Sequence, residues 1–208
     1  MADALNAFVV LFIVLDPVGV AWVFAALTAG GDATQQRLMA IRGVMLAGLI
    51  MYVFFFLGDY VLDWMKISLP AFRIAGGVLL FLLSLEMVFA RQSGLRSTTS
   101  EETHEAQLKQ DKSVFPLAFP LLAGPGAIAT VMLIAGHAET VKDNLVLCVV
   151  IFVVLLITLL ALLLARPIST LLGETGANVI SRLLGLILAA LAVQYVIDGI
   201  KQSFFQGI

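Results

Sequence analysis

Six apolar runs, near residues 5–29, 41–64, 69–90, 114–136, 144–165 and 179–204, dominate this chain of 208 residues. As helices rising about 1.5 Å per residue, each can cross the roughly 30 Å of hydrocarbon in a bilayer. The expectation is an all-α membrane protein of six transmembrane helices. Composition points the same way: 61% of the residues are hydrophobic and 12% charged, against about 25% charged in soluble domains. A soluble fold of this size has no means of hiding so much apolar surface.

An even number of spans puts both termini on one side. Lys66, Arg73, Lys142 and Lys201 fall on that side, and Arg37, Arg42, Arg91, Arg96, Lys109, Lys112, Arg166 and Arg182 on the other. The excess of positive charge places the second set in the cytoplasm and both termini outside. The first run has no basic leader or small-residue cleavage pattern, so it is expected to remain in the protein. Arg91 to Lys112 is polar, with almost nothing apolar to fold around, and reads as a flexible cytoplasmic linker, 91–113, between a three-helix unit at 1–90 and another at 114–208. His104 lies in it, and His137 at an outer helix end, without a metal partner at useful spacing. A net charge of −2 offers no basic surface for nucleic acid. Cys148 sits alone in an apolar run and can form no intrachain disulfide.

The two units resemble each other. LDPVG in the first span matches AGPGA in the fourth, Pro17 and Pro125 being 108 residues apart. FRIAGG and SRLLGL open the third and sixth spans, with Arg73 and Arg182, and likewise Gly76 and Gly185, offset by 109. Because each unit holds an odd number of spans, the second enters the membrane in the opposite sense, an inverted repeat. Pro17 lies twelve residues after Leu5 and Pro125 eleven after Val114, so helices 1 and 4 are expected to break near the midplane, about 18 Å in. Prolines and adjacent glycines leave carbonyls open before each break and amides open after it, and such groups need protein or a watery cavity around them.

Amides and the positive dipole end near Val18 and Gly126 suit a carboxylate. Carbonyls of the first half-helices, with the Asp16 carboxylate, suit an ammonium group or a cation. Small residues, Ala127 among them, keep the walls close, which serves a small ligand or close helix packing equally. A small zwitterion of amino-acid type fits both ends. The competing reading is a pair of proline kinks that bind nothing.

The chain resembles the MarC family of bacterial and archaeal integral membrane proteins over nearly its whole length. FVVLFIVLDPVGVAWVFAALTAG, FPLLAGPGAIATVMLIAG, FRIAGGVLLFLLSLEM and AVQYVIDGI carry the likeness. That family has Asn or Asp before the proline and glycine of its first span, is similar to the LysE-type exporter group, and has members linked to transport of small neutral amino acids such as glycine and alanine. The resemblance implies Asp16, Pro17, Gly19, Gly124, Pro125, Gly126 and Thr130 as site-forming residues, and a multi-pass protein of the plasma membrane.

Asp198, inside the end of the sixth span, can couple transport to protons or sit solvated at the interface. Arg73 and Arg182 are expected to reach the headgroups rather than pair inward, and Glu86 to snorkel. Thr130 either lines a cavity or bonds back to its own helix. Gln194 and Tyr195 are expected mainly to pack.

The expected function is a secondary transporter of a small zwitterionic solute by alternating access, coupled to H+ through Asp16 or Asp198, or to Na+ at the broken-helix carbonyls. A non-transporting scaffold or sensor is the alternative. Two intramembrane aspartates also raise an aspartyl hydrolase, but VIDG is not the GxGD of such proteases, and neither a Ser–His pair nor HExxH is present; no enzymatic activity is expected. Its partners are the solute and the lipid bilayer, with no cofactor or metal.

Overall fold

The computed structural model of this chain describes residues 2–90, 113–136, 138 and 140–205. Among them there is no strand. The elements in order are α1 (Ala2–Leu15), α2 (Pro17–Leu27), α3 (Ala33–Trp64), α4 (Leu69–Phe89), α5 (Ser113–Leu122), α6 (Pro125–Ala135), α7 (Val141–Leu163) and α8 (Ala165–Phe205). Five stretches are long and apolar enough to cross a membrane, α1 and α2 together forming one of them, and the bent pair α5–α6 makes a sixth if it counts as one span. All but Ser113 of the 91–113 linker lies outside the described residues, as do His104 and His137.

Helix ends follow local chemistry. Ser68 caps α4 by accepting the amide of Ala71, and Pro70 sits in the first turn, where its missing N–H does no harm. Thr140 and Asp143 satisfy each other's backbone amides at the start of α7. Asp32 caps α3, which at 32 residues is about 48 Å long and begins well before the apolar run at 41. That run marks only the lipid-facing length; the turns before it, with Gln36 and Ala40 buried, extend past the hydrocarbon. The run at 179–204 likewise ends a longer element. α8 starts at Ala165 and breaks at Gly173, whose φ of 61° and ψ of −175° suit glycine and almost nothing else.

The centre of the bundle is α1–α2 and α6. Val10, Leu11, Val14 and Leu15 of α1 are sealed from solvent, and nine of the eleven residues of α6 are buried. The outer helices bury one stripe each: in α3 it runs Ala40, Gly43, Val44, Ala47, Met51, Phe55, Gly58 and Leu62, at helical spacing. Their other faces expose Met45, Leu49, Phe56, Leu145, Phe152, Leu183 and Leu186. In water such a surface would aggregate; in a bilayer it is the lipid contact.

α4 and α8 lie antiparallel along much of their length. The Pro70 carbonyl meets Gly199, Gly77 meets the Ala192 carbonyl, and the Ser84 carbonyl meets Gly185. Glycines thus let backbone approach backbone where lipid supplies no hydrophobic drive for association. Arg73 corrects one expectation. It is buried, 3% exposed, and turned into the bundle, whereas Arg182 is exposed as expected. The reason is position: the α4–α8 packing closes over Arg73, one turn into α4.

Candidate functional site

Asp16 stands alone between α1 and α2, with φ 47° and ψ 65°. The residue before a proline is pushed out of the right-handed helical region. Among non-glycine residues, Asp and Asn tolerate the left-handed alternative best, since their short polar side chains bond locally. The Asp16 carboxylate does so: Oδ1 accepts the amide of Gly19 at 3.1 Å and caps α2. Its other oxygen accepts the hydroxyl of Ser181 on α8 at 2.8 Å. The side chain is 2% exposed and rests at the positive end of the α2 dipole. Gly19 has no side chain because there is no room for one; a Cβ there would run into the Asp16 carboxylate and come within 2.8 Å of the Ser181 hydroxyl oxygen.

The second break has different chemistry. Pro116 and Pro120 lie inside α5, and the residue before each is extended, Phe115 at φ −132° and ψ 127°, Phe119 at φ −138° and ψ 131°. α5 is therefore wound wide, ending with the Ala123 amide donating to the Ala118 carbonyl five residues back. Gly124 then turns the chain by 55° into α6, which opens on Pro125 with no side-chain cap. Thus the amides that open α2 and α6 are unlike: at α2 the carboxylate is built in, while at α6 no side chain among the described residues caps the helix.

Val14, two residues before the first break, lines one small space together with Pro120, Gly124, Gly126 and Ala127 of the second. Its volume is about 10 Å³, on the order of a single water. Pro17, Gly124, Gly126 and Ala127 are buried, and Val18 and Pro125 half-buried. Thr130 is fully buried and donates to the Gly126 carbonyl at 2.8 Å, one turn back along its own helix. Asp198 is remote from all of these. It accepts from the side-chain amide of Gln194 at 2.8 Å, so Gln194 bonds within its helix. Seventeen residues of unbroken α8 separate it from Ser181, about 25 Å.

The model for MarC family integral membrane proteins matches residues 1–204. The chain belongs to the MarC family. Among its relatives are a UPF0056 membrane protein of Methanocaldococcus jannaschii, 37% identical over 195 residues, 94% of each chain, and membrane protein YvbG of Bacillus subtilis, 36% identical over 200 residues, 96% of this chain and 94% of that one. The inner membrane protein YhgN of Escherichia coli K12 is 32% identical over 201 residues, 97% of this chain and 98% of its own. No solved structure matches.

Two features of this MarC protein's site were not singled out from sequence. Ser181, the partner of Asp16, opens the SRLLGL landmark, and its place one residue before Arg182 was the available signal. Pro116 and Pro120 repeat FP at a spacing of four in FPLAFP, a pattern that forbids a regular helix there.

Proposed function

We propose that this MarC protein is a secondary transporter of a small zwitterionic solute, with glycine and alanine as the first candidates, working by alternating access about the two breaks. The observation that supports the reading is the small space that Val14, two residues before Asp16, lines together with the residues of the α5–α6 bend; Asp16, Pro17, Val18 and Gly19 lie outside its lining. Eleven residues separate Asp16 from Leu27, and eleven separate Ser113 from Gly124; in this reading both breaks serve as mid-span sites and the two units act as an inverted repeat. In this reading the uncapped amides at Gly126 and Ala127 take the solute carboxylate. Carbonyls before the breaks face its ammonium group, and Pro17, Val18, Gly19, Pro125 and Thr130 shape the walls. Coupling to H+ runs through Asp16; Asp198, about 25 Å along α8, is the weaker candidate, and a Na+ ion at the open carbonyls is the other route. That separation also argues against a shared-proton aspartyl enzyme.

The narrowness of the space, about 10 Å³, corresponds here to a closed state that opens as the repeats rock. The same narrowness favours the second reading, a scaffold or sensor that moves nothing. Protein in liposomes separates them. The expected result is accumulation or exchange of labelled alanine or glycine, falling at least tenfold in Pro17→Ala and Pro125→Ala; a screen of small amino acids, amines and organic acids with no flux would overturn the transporter. Unchanged pH and sodium dependence in Asp16→Asn would remove Asp16 from coupling.

The protein sits in the plasma membrane with both termini outside. In a Cys148→Ser background, a membrane-impermeant maleimide should label Val141→Cys in intact cells and leave Thr34→Cys unlabelled until the membrane is opened. Both side chains are exposed, and the reverse pattern would invert the topology.

A further inference from the structure

A cavity of about 380 Å³ lies where four helix ends meet: the end of α2, the start of α3, the end of α7 and the start of α8. Helix ends of four neighbouring spans on one side mark a membrane boundary. Phe24 and Leu163 form apolar walls, Thr28 and Gln36 lie among the lining residues, and the guanidinium residues Arg37 and Arg166 complete it. No carboxylate is among the described residues that line it. The nearest in sequence, Asp32, accepts the Thr34 amide at 3.3 Å.

Two side-chain bonds organise the lining, one buried and one exposed. Gln36, 9% exposed, donates its side-chain amide to the Thr28 carbonyl at 2.5 Å, holding the α2–α3 turn. Arg166 donates to the Gly31 carbonyl at 2.8 Å, which brings the start of α8 against that same turn. Arg37 and Arg166 thus line one cavity, two positive charges with no carboxylate among the described residues of its lining. Planar guanidinium forks match tetrahedral phosphate oxygens. Leu163 lines the cavity and, with Leu164 beside it, is exposed to the lipid side, giving an acyl chain a surface to follow.

We propose that this cavity binds a phosphate group, and specifically the headgroup of an anionic phospholipid in the leaflet at the α2–α3 turn. The site is independent of the transport reading, since it uses none of the residues at the breaks. A basic pocket between helix ends is a favourable place for such a headgroup, each arginine contributing about fivefold in affinity.

The test is lipid binding to the whole protein in detergent, followed by native mass spectrometry and by thermal shift, with phosphatidylglycerol against phosphatidylcholine and with inorganic phosphate as a separate arm. Phosphatidylglycerol should be retained and protective where phosphatidylcholine is not, with a loss of about fivefold in Arg37→Gln and at least tenfold in Arg37→Gln/Arg166→Gln. Arg37 is exposed, so its single variant reads binding even if loss of the Arg166–Gly31 bond disturbs folding. Equal protection by millimolar inorganic phosphate, lost in the same variants, would keep the phosphate site but assign it to a soluble ligand and overturn the lipid. Equal retention of both lipids, or retention unchanged in Arg37→Gln and in the double variant, would overturn the site.

Discussion

Asp16→Leu should destabilise the protein by about 3–5 kcal/mol, while Asp16→Asn stays within about 1 kcal/mol of the parent. Three terms add in the leucine variant. A left-handed backbone costs a branched side chain about 1–2 kcal/mol. Loss of the cap on α2 costs about 1 kcal/mol. The Ser181 hydroxyl, facing Asp16 in the packed centre, is left without that acceptor at about 1–2 kcal/mol more. Asparagine keeps the backbone preference and the cap. Its carbonyl oxygen accepts from Gly19, and its amide can donate to the Ser181 oxygen, reversing that bond without breaking it. The attraction of a full charge to the α2 dipole is lost, about 0.3–1 kcal/mol. Thermal unfolding of the purified variants in one detergent checks this. Equal stability of the leucine and asparagine variants would mean that neither hydrogen bond matters to the fold. The same argument gives a physical reason for the Asn-or-Asp pattern that the family resemblance brought to this position: both can cap from a left-handed residue ahead of proline.

The parts of the molecule that could be read from sequence are those where the solvent decides. Long apolar runs report transfer from water to lipid, so the all-helical membrane class was visible, and the six runs compare with five spanning helices and one bent pair. Element ends were less so, because hydropathy is silent beyond the hydrocarbon: α3 gains eight residues before the run at 41, and α8 begins fourteen before the run at 179. Orientation of a single side chain was also out of reach. Arg73 and Arg182 occupy matching places in the repeat, yet one is buried under α8 and the other exposed, since a repeat in sequence does not make the surroundings equal. At the candidate site, LDPVG held the needed signal, because carboxylate, proline and glycine in that order specify a capped helix start. What it did not reveal is that Asp16 would occupy the α2 amide itself. A carboxylate three residues from an amide can serve a ligand or serve its own helix, and the choice rests on Ser181, 165 residues away along the chain.

Gly19→Ala should be the most damaging of the glycine substitutions, at about 3 kcal/mol, with Gly77→Ala at about 2 and Gly126→Ala below about 1. The order follows from what each new methyl group would meet. At Gly126 the obstacle is the Leu83 Cδ2 atom at 2.9 Å, the far end of a side chain that can rotate away. At Gly77 it is the Ala192 carbonyl oxygen at 2.8 Å and the Val196 amide nitrogen at 3.1 Å. These are backbone atoms of α8, so the two helices must separate and give up close packing along their length. At Gly19 the methyl group displaces the Asp16 carboxylate, and its bonds to the Gly19 amide and to Ser181 of α8 go with it. Because the damage at Gly19 acts partly through Ser181, adding Gly19→Ala to Ser181→Ala should cost less than the sum of the two, by about 1 kcal/mol. Full additivity in that cycle would separate Gly19 from the Asp16–Ser181 contact, and a Gly126→Ala as unstable as Gly77→Ala would show that the second break is as tightly closed as the third and sixth spans.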